Sequence, residues 1–355
     1  MDIDIDIAIT EDKYLGCIVG AAAGDALGAP TETLSSQQIS QAYGGRVTNF
    51  QLPADNTLAH GRKAGQVTDA FSIPYILSQH LFSADGQASR SVGEDALREW
   101  GASEWFDPFA GMTTRKVVNK LQENNQQELW SYAGHLGNKL FKGHYYALSS
   151  NGSAVKAWPA ALLHPGRVDA AISDAVELTM ASHDDPLSIS GACAMAAAVS
   201  KALAADSTLY DIIQAAVYGA QQGEELARSR DDVWVYPGPS VVSRLEMAID
   251  VAIKHPDDGM AALRDLIGSG PAVAETFPTA IGLLLANNGM VMEALFDAVN
   301  IGDETSAIAS IVGAIGGAWE GISIFPADYL PTINKANGFN LQDFAAQWLK
   351  SAHIH

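Results

Sequence analysis

The sequence predicts an all-α protein, and three observations carry that prediction. Apolar residues recur at spacings of three and four along most of the chain, strand-type alternation is confined to Ile3–Ile9, and short Gly, Pro, Asn and Asp punctuation separates the periodic segments. A first helix follows from Leu15, Ile18, Val19 and Ala22, which share one face and lead to a stop at Gly28 and Pro30. Ile73, Ile76, Leu77 and Leu81 mark a second, beginning near Ser72. Further helices are expected at about 113–123, 168–181, 186–204, 208–227, 240–254, 259–267, 275–286, 290–298 and 305–316. The abundance of Ala and Gly in Gly191–Ala205 and Ala307–Trp319 lets helix axes approach closely, as a layered bundle requires. Loops at about 44–67, 101–112, 143–158 and 228–239 carry aromatics and glycines, and long loops in compact domains are often functional. Trp105, Phe106, Tyr145, Tyr146, Trp158 and Trp234 lie in or beside them, and for each ring core packing is the better expectation than stacking on a ligand.

Bulk composition narrows the class. A chain of 355 residues, 48% hydrophobic, can bury a large core. Its 21 basic and 41 acidic residues give a formal charge of -20, which argues against non-specific binding to nucleic acid or to anionic membrane surfaces. Cys17 and Cys193 each sit in an Ala/Gly/Val-rich helical run, so they read as small core hydrophobes in a reducing compartment rather than as a disulfide framework. Met1–Ala8 alternates Asp and Ile and lacks the basic and apolar regions of a signal peptide, and no later segment approaches about 18 uninterrupted apolar residues. A cytoplasmic protein is expected, with one domain over residues 10–350 and an N-terminal extension at 1–9.

Five segments concentrate side chains that can do chemistry. In Gly20–Glu32 an apolar helix ends with two carboxylates at its exit; Asp25 lies in the last turn, where the macrodipole disfavours it, so a partner or ion should compensate it. Taken alone, Glu32 reads as a solvated loop residue. In Gly65–Ser72, Thr68 and Asp69 are both N-capping types and oxygen ligands, and both readings stand. Ser150–Pro159 contains a small-residue turn whose backbone N–H groups suit a phosphate or sugar, with Lys156 as charge partner. Ser182–Pro186 places Asp184 or Asp185 to cap the following helix, with His183 as a substrate contact or a structural residue. Gly302–Ile308 crowds Asp303, Glu304, Thr305 and Ser306 at one helix start, where either a hard cation or the helix N-terminus accounts for the oxygens.

Taken in this order and spacing, the segments resemble the ADP-ribosylglycohydrolase family, whose members include the enzyme that reactivates dinitrogenase reductase. The resemblance runs from about Tyr14 to Leu330. The family's Gly-Asp-Ala-Leu-Gly segment and following acid fall on Gly24–Gly28 and Glu32; its Thr-Asp-Asp segment on Thr68-Asp69-Ala70; its Thr-Thr-Arg helix start on Thr113-Thr114-Arg115. Its Asn-Gly-Ser-Ala-Met-Arg segment falls on Asn151–Lys156, its histidine junction on His183, and its Asn-Leu-Gly-Gly-Asp-Thr-Asp-Thr-Ile-Ala segment on Asn300–Ala309.

The resemblance implies a compact multi-helix orthogonal bundle and cleavage of a glycosidic bond in ADP-ribosyl or related ribosyl substrates, free or on a modified protein. It implies Glu32 and Asp69 as catalytic groups, and Asn151, Gly152, Ser153, Lys156 and His183 as substrate contacts. Two Mg²⁺ ions bound by family members would map onto Thr68, Asp69, Ala70, Glu304, Ser306 and Ala307. Here the chain departs from the pattern: four carboxylates have become two, Ala70 cannot coordinate, and Ala307 lacks a hydroxyl. Two ions carrying four positive charges would face about two compensating charges, plus Asp303 if it turns inward. At most one weakly held Mg²⁺, on Thr68, Asp69, Glu304 and Ser306, is therefore expected, or none. Lys156 also replaces a bidentate Arg fork by a point charge. A divergent hydrolase leads, against a non-catalytic relative or a metal-independent enzyme using the acids Asp25, Glu32, Asp69 and Glu304.

Overall fold

The computed structural model of the chain describes residues 2–123, 149–235 and 237–352, with side chains from residue 11 onward. Its helices are α1 (Asp2–Gly28), α2 (Ser36–Tyr43), α3 (Asp69–Ser83), α4 (Arg90–Trp100), α5 (Phe106–Phe109), α6 (Met112–Gln122), α7 (Gly152–Val155), α8 (Trp158–Leu163) and α9 (Val168–Thr179). They continue as α10 (Pro186–Leu203), α11 (Leu209–Arg228), α12 (Val241–Lys254), α13 (Gly259–Leu266), α14 (Val273–Ala286), α15 (Val291–Asn300), α16 (Thr305–Glu320), α17 (Tyr329–Asn337) and α18 (Leu341–Ala352). Among the described residues extended pairing is limited to two isolated antiparallel bridges, Ser35 with Gly302 and Ser150 with Ala272. The protein is all-α, as expected.

Local chemistry sets the helix ends. Asp185 caps α10, its carboxylate accepting from Leu187 N–H and Ser188 N–H at 3.0 Å each, and Pro186 fills the first position, where no N–H is needed. Reciprocal capping boxes start α2 (Ser35 with Gln38) and α11 (Thr208 with Asp211). Helices α8, α17 and α18 lie outside the expected segments, and three further features differ from the sequence expectation. The Ile3–Ile9 alternation produces no strand: α1 runs back to Asp2, because a lone alternating segment without a partner strand gains nothing from the extended form. Helices α2 and α4 lie outside the expected segments: α2 buries only Ile39 and starts at its cap Ser35, whereas α4, capped by Ser89, buries Ala96, Leu97 and Trp100 on one face. Short helices α5 and α7 interrupt two of the expected loops. Tyr145 and Tyr146 lie outside the described residues.

Four glycines spaced four apart decide how the two chemistry-bearing ends of the chain meet. A Cβ on Gly16, Gly20 or Gly24 of α1 would stand 2.3, 2.0 and 2.0 Å from the carbonyl oxygens of Gly317, Gly313 and Ala309 of α16, and one on Gly28 would stand 2.6 Å from Ser306 Cα. The pairing is reciprocal, since a Cβ on Gly313 or Gly317 would strike Gly20 O or Gly16 O at 2.0 Å. The two helices therefore run antiparallel with backbones touching, an approach that only residues without a Cβ permit. This contact carries the exit of α1, with Asp25 and Glu32, against the entry of α16, with Glu304 and Ser306. Helix α10 fills the centre: it is long and apolar enough to cross a membrane, yet 94% of it is buried inside the fold.

Candidate active site

Asp25 finds its compensating partner across the α1 exit. Its carboxylate accepts from Thr68 N–H at 2.8 Å, Thr68 Oγ1–H at 2.6 Å and Phe71 N–H at 2.9 Å, so the acid disfavoured at the end of α1 is held by the start of α3. Burial still pushes the carboxyl up to about 7 against those bonds. Thr68 is also the N-cap of α3, its hydroxyl oxygen 3.4 Å from Ala70 N. The capping reading of Thr68 is thus realised, with its hydroxyl proton directed at Asp25.

Beside this cap, Glu32, Asp69 and Glu304 converge from the exit of α1, the first turn of α3 and the entry of α16. Burial is the main cause that raises the Glu32 carboxyl well above its usual range, with Glu304 and Asp69 adding repulsion and the Ser306 hydroxyl opposing it. Asp69 is pushed up to about 8 by burial and by the charges of Asp25 and Glu304. Glu304 is also raised by burial, offset by a 2.8 Å hydrogen bond from Asn151 Nδ2. Glu32 Oε2 is shielded from solvent and has no hydrogen-bond partner among the described residues.

Backbone pairings hold the loops that present these acids. Asp303 N–H donates to Leu34 O and Thr33 N–H to Asp303 O, both at 2.9 Å, and Glu304 N–H donates to Ser269 O at 3.0 Å. Gly302 has φ +100 where a Cβ would meet Leu34 O at 2.9 Å, so this crossing requires glycine. Thr305 Oγ1 donates to Gly28 O at 2.9 Å, tying α16 to α1.

The donor set bears on metal binding through its chemistry. Ala70 and Ala307 are buried methyls, so oxygens for a second ion are missing. Asp69, Glu304 and the buried hydroxyl of Ser306 are hard donors sufficient in kind for one Mg²⁺, although as they stand no three His, Cys, Asp or Glu side chains among the described residues are placed to hold an ion.

A second group of predicted residues lies behind the Asn151 loop. Asn151 N–H donates to Pro271 O at 2.8 Å and Val273 N–H to Ser149 O at 2.9 Å, fixing the loop on the start of α14. His183, fully buried, pairs through Nε2 with Ser150 Oγ at 2.8 Å and through Nδ1 with Ser182 Oγ at 2.8 Å. Lys156 Nζ donates to Ser182 Oγ and lies 3.2 Å from His183 Nδ1; burial lowers it to about 7. His183 is depressed by burial and by Lys156. Ser153 Oγ donates to Ser150 O at 3.0 Å. The structure thus brings Glu32, Asp69, Glu304, Ser306 and Asn151 together, and it sets Gly152, Ser153, Lys156 and His183 as a support behind them. Ser150 and Ser182 open two of the segments singled out in the sequence but were given no role of their own, and Thr276, whose Oγ1 is 3.3 Å from Asn151 Nδ2, was not singled out.

The shifts fix a sign for pH dependence. Carboxyls raised in the fold bind more protons than in the unfolded chain, so their contribution is fully present below about pH 4 and is lost as pH rises through 7 to 8. His183 opposes this below its unfolded pKa and Lys156 above 7, since both are lowered in the fold. The acids outnumber them, so in the presence of a chelator Tm should be higher at pH 5.5 than at pH 8, and Mg²⁺ should narrow the gap. A Tm that rises with pH across that interval would contradict the assignment.

A family model described as ADP-ribosylglycohydrolase matches residues 6–353. The chain is 24% identical to the uncharacterized protein YegU of Escherichia coli (strain K12) over 350 residues, covering 96% of this chain and 97% of that one. It is 27% identical over 180 residues to the ADP-ribosyl-[dinitrogen reductase] glycohydrolase of Rhodospirillum rubrum, covering 50% of this chain and 53% of that one. A solved structure titled "ADP-ribosylglycohydrolase-related protein complex" superposes with a TM-score of 0.62 at 18% identity, over 97% of this chain and 99% of that one, and shares the fold.

Proposed function

Because the chain belongs to the ADP-ribosylglycohydrolase family, we propose that it hydrolyses a glycosidic bond of an ADP-ribosyl or related ribosyl substrate at the Glu32–Asp69–Glu304 centre. The observation that carries this reading is the convergence of those carboxyls at helix ends, with Glu32 Oε2 shielded and without a hydrogen-bond partner among the described residues.

Each residue then has a role. Glu32, whose environment favours the protonated form, gives its proton to the leaving-group oxygen as the glycosidic bond breaks, and an ionised neighbouring carboxylate takes the proton of the water that adds to the anomeric carbon. Ionised neighbours stabilise the positive charge that develops on the ribose. Asn151 orients Glu304, and the Ser150–His183–Ser182–Lys156 chain holds the loop carrying Asn151 and Gly152 against the substrate. A single Mg²⁺, when bound by Asp69, Glu304 and Ser306, would supply charge neutralisation and polarise the ribose hydroxyls or water.

A second reading, a ligand-binding relative without turnover, is favoured by the methyls at Ala70 and Ala307. Incubation with a panel of ADP-ribosyl and ribosyl compounds, with Mg²⁺ or with chelator, separates the two by mass spectrometry of the products. Released ADP-ribose or ribose supports hydrolysis. A rise in Tm with ADP-ribose and no product from any compound in either condition supports the second reading and overturns the first.

A further inference from the structure

We propose that Arg62 and Trp105 form a leaving-group subsite, in which their two buried N–H donors receive an oxygen acceptor of the departing group; this rests on the glycohydrolase reading. Arg62 Nε and Trp105 Nε1 are shielded from solvent and have no hydrogen-bond partner among the described residues. A buried N–H left unpaired costs free energy on the order of 1–3 kcal/mol, so such a pair on neighbouring loops calls for an acceptor. Each terminal nitrogen of Arg62 makes one bond: Nη1 donates to Glu104 Oε2 at 2.8 Å and Nη2 to Val67 O at 3.4 Å. Glu104 is the residue before Trp105, so this ion pair clamps the two loops together.

Both side chains are tied to the exit of α1, which carries Asp25. Ala29, between Asp25 and Glu32 in the chain, packs with Ala59 and Phe109, and Trp105 packs against that small cluster. The Arg62 guanidinium carbon lies 5.4 Å from the centroid of the Phe109 ring, and its charge pulls on the Asp25 carboxyl. Among the described residues Trp158 and Trp348 also carry indole N–H groups without a partner, yet both rings are fully enclosed in the core, whereas Trp105 sits partly open on a loop.

The Asn151 loop reaches the acid centre through Glu304, whereas Arg62 and Trp105 reach it through Ala29 and Asp25. Two separate approaches suit the two halves of a substrate whose bond breaks between them. Because Glu104 offsets much of the Arg62 charge, a carbonyl or carboxylate oxygen, as on a peptide, matches the pair better than a multiply charged group.

The test uses the ¹⁵N-labelled full-length protein, with the Trp105 Nε1–H resonance assigned from Trp105→Phe. An ADP-ribosylated peptide should shift that resonance downfield, and ADP-ribose, which lacks a leaving group, should leave it in place. Trp105→Phe should raise KM for the peptide roughly tenfold, with kcat, Tm and the affinity for ADP-ribose unchanged. Equal shifts with both ligands, or no shift with either, would overturn the subsite. Failure of the glycohydrolase reading shows elsewhere, as turnover that survives loss of the Glu32 carboxyl.

Discussion

Glu32→Gln is expected to lower kcat roughly a thousandfold on any substrate the wild-type protein hydrolyses, while leaving the far-UV circular dichroism unchanged. Gln keeps the volume and the contact with Ser306 but can neither give nor take the proton. Its effect on stability should run the other way. Glu32 is held among Glu304, Asp69 and Asp25, all of which raise its carboxyl, so an uncharged amide relieves repulsion and Tm at pH 8 should rise. Lost activity with a raised Tm separates a functional acid from a structural one. Turnover retained within about threefold would remove Glu32 from the mechanism and, with it, the assignment of the centre.

Gly20→Val should prevent folding or lower Tm by more than about 5 °C, the consequence of losing on the order of 4 kcal/mol or more from a chain of this size. The new Cβ would stand 2.0 Å from Gly313 O, and the obstacle is the backbone of a buried helix rather than the tip of a flexible side chain. Neither α1 nor α16 can withdraw without opening the contact that brings Glu32 to Glu304. Gly111→Ala is the matched control: nothing lies within 4 Å of its Cβ and its φ is -59, so Tm should move by only a degree or two. Thermal melts of the two variants check both statements, and a Gly20→Val protein with wild-type Tm would refute the backbone contact.

Much of the fold was legible because hydrophobic periodicity is a local property. Helices α9 to α16 follow the spacing of their apolar residues, whereas α2 buries only Ile39 and starts at the cap Ser35, which periodicity alone does not reveal; α4, with Ala96, Leu97 and Trp100 on one face, was legible in its spacing. The Gly16–Gly28 spacing was visible too, but its partner face on α16 becomes evident only when the two helices are seen packed. In the site, the acids at 25, 32, 69 and 304 were each ambiguous between cap, solvated loop and ligand. Thr68 proved to be a cap that also binds Asp25, and Lys156 proved to be buried behind His183 rather than open to a ligand.

The sequence by itself determined the helical class, the positions of the acids at helix ends, and the absence of oxygens at Ala70 and Ala307. Those are facts of residue type and spacing, which no packing can alter. Only the tertiary structure decided which acids meet, which of them is compensated and which carries an unpartnered oxygen. Residues 25, 68 and 304 are far apart in the chain, and their electrostatics depend on burial and on distances that backbone contact between α1 and α16 sets. A carboxylate takes its pKa from neighbours and solvent rather than from its place in the chain.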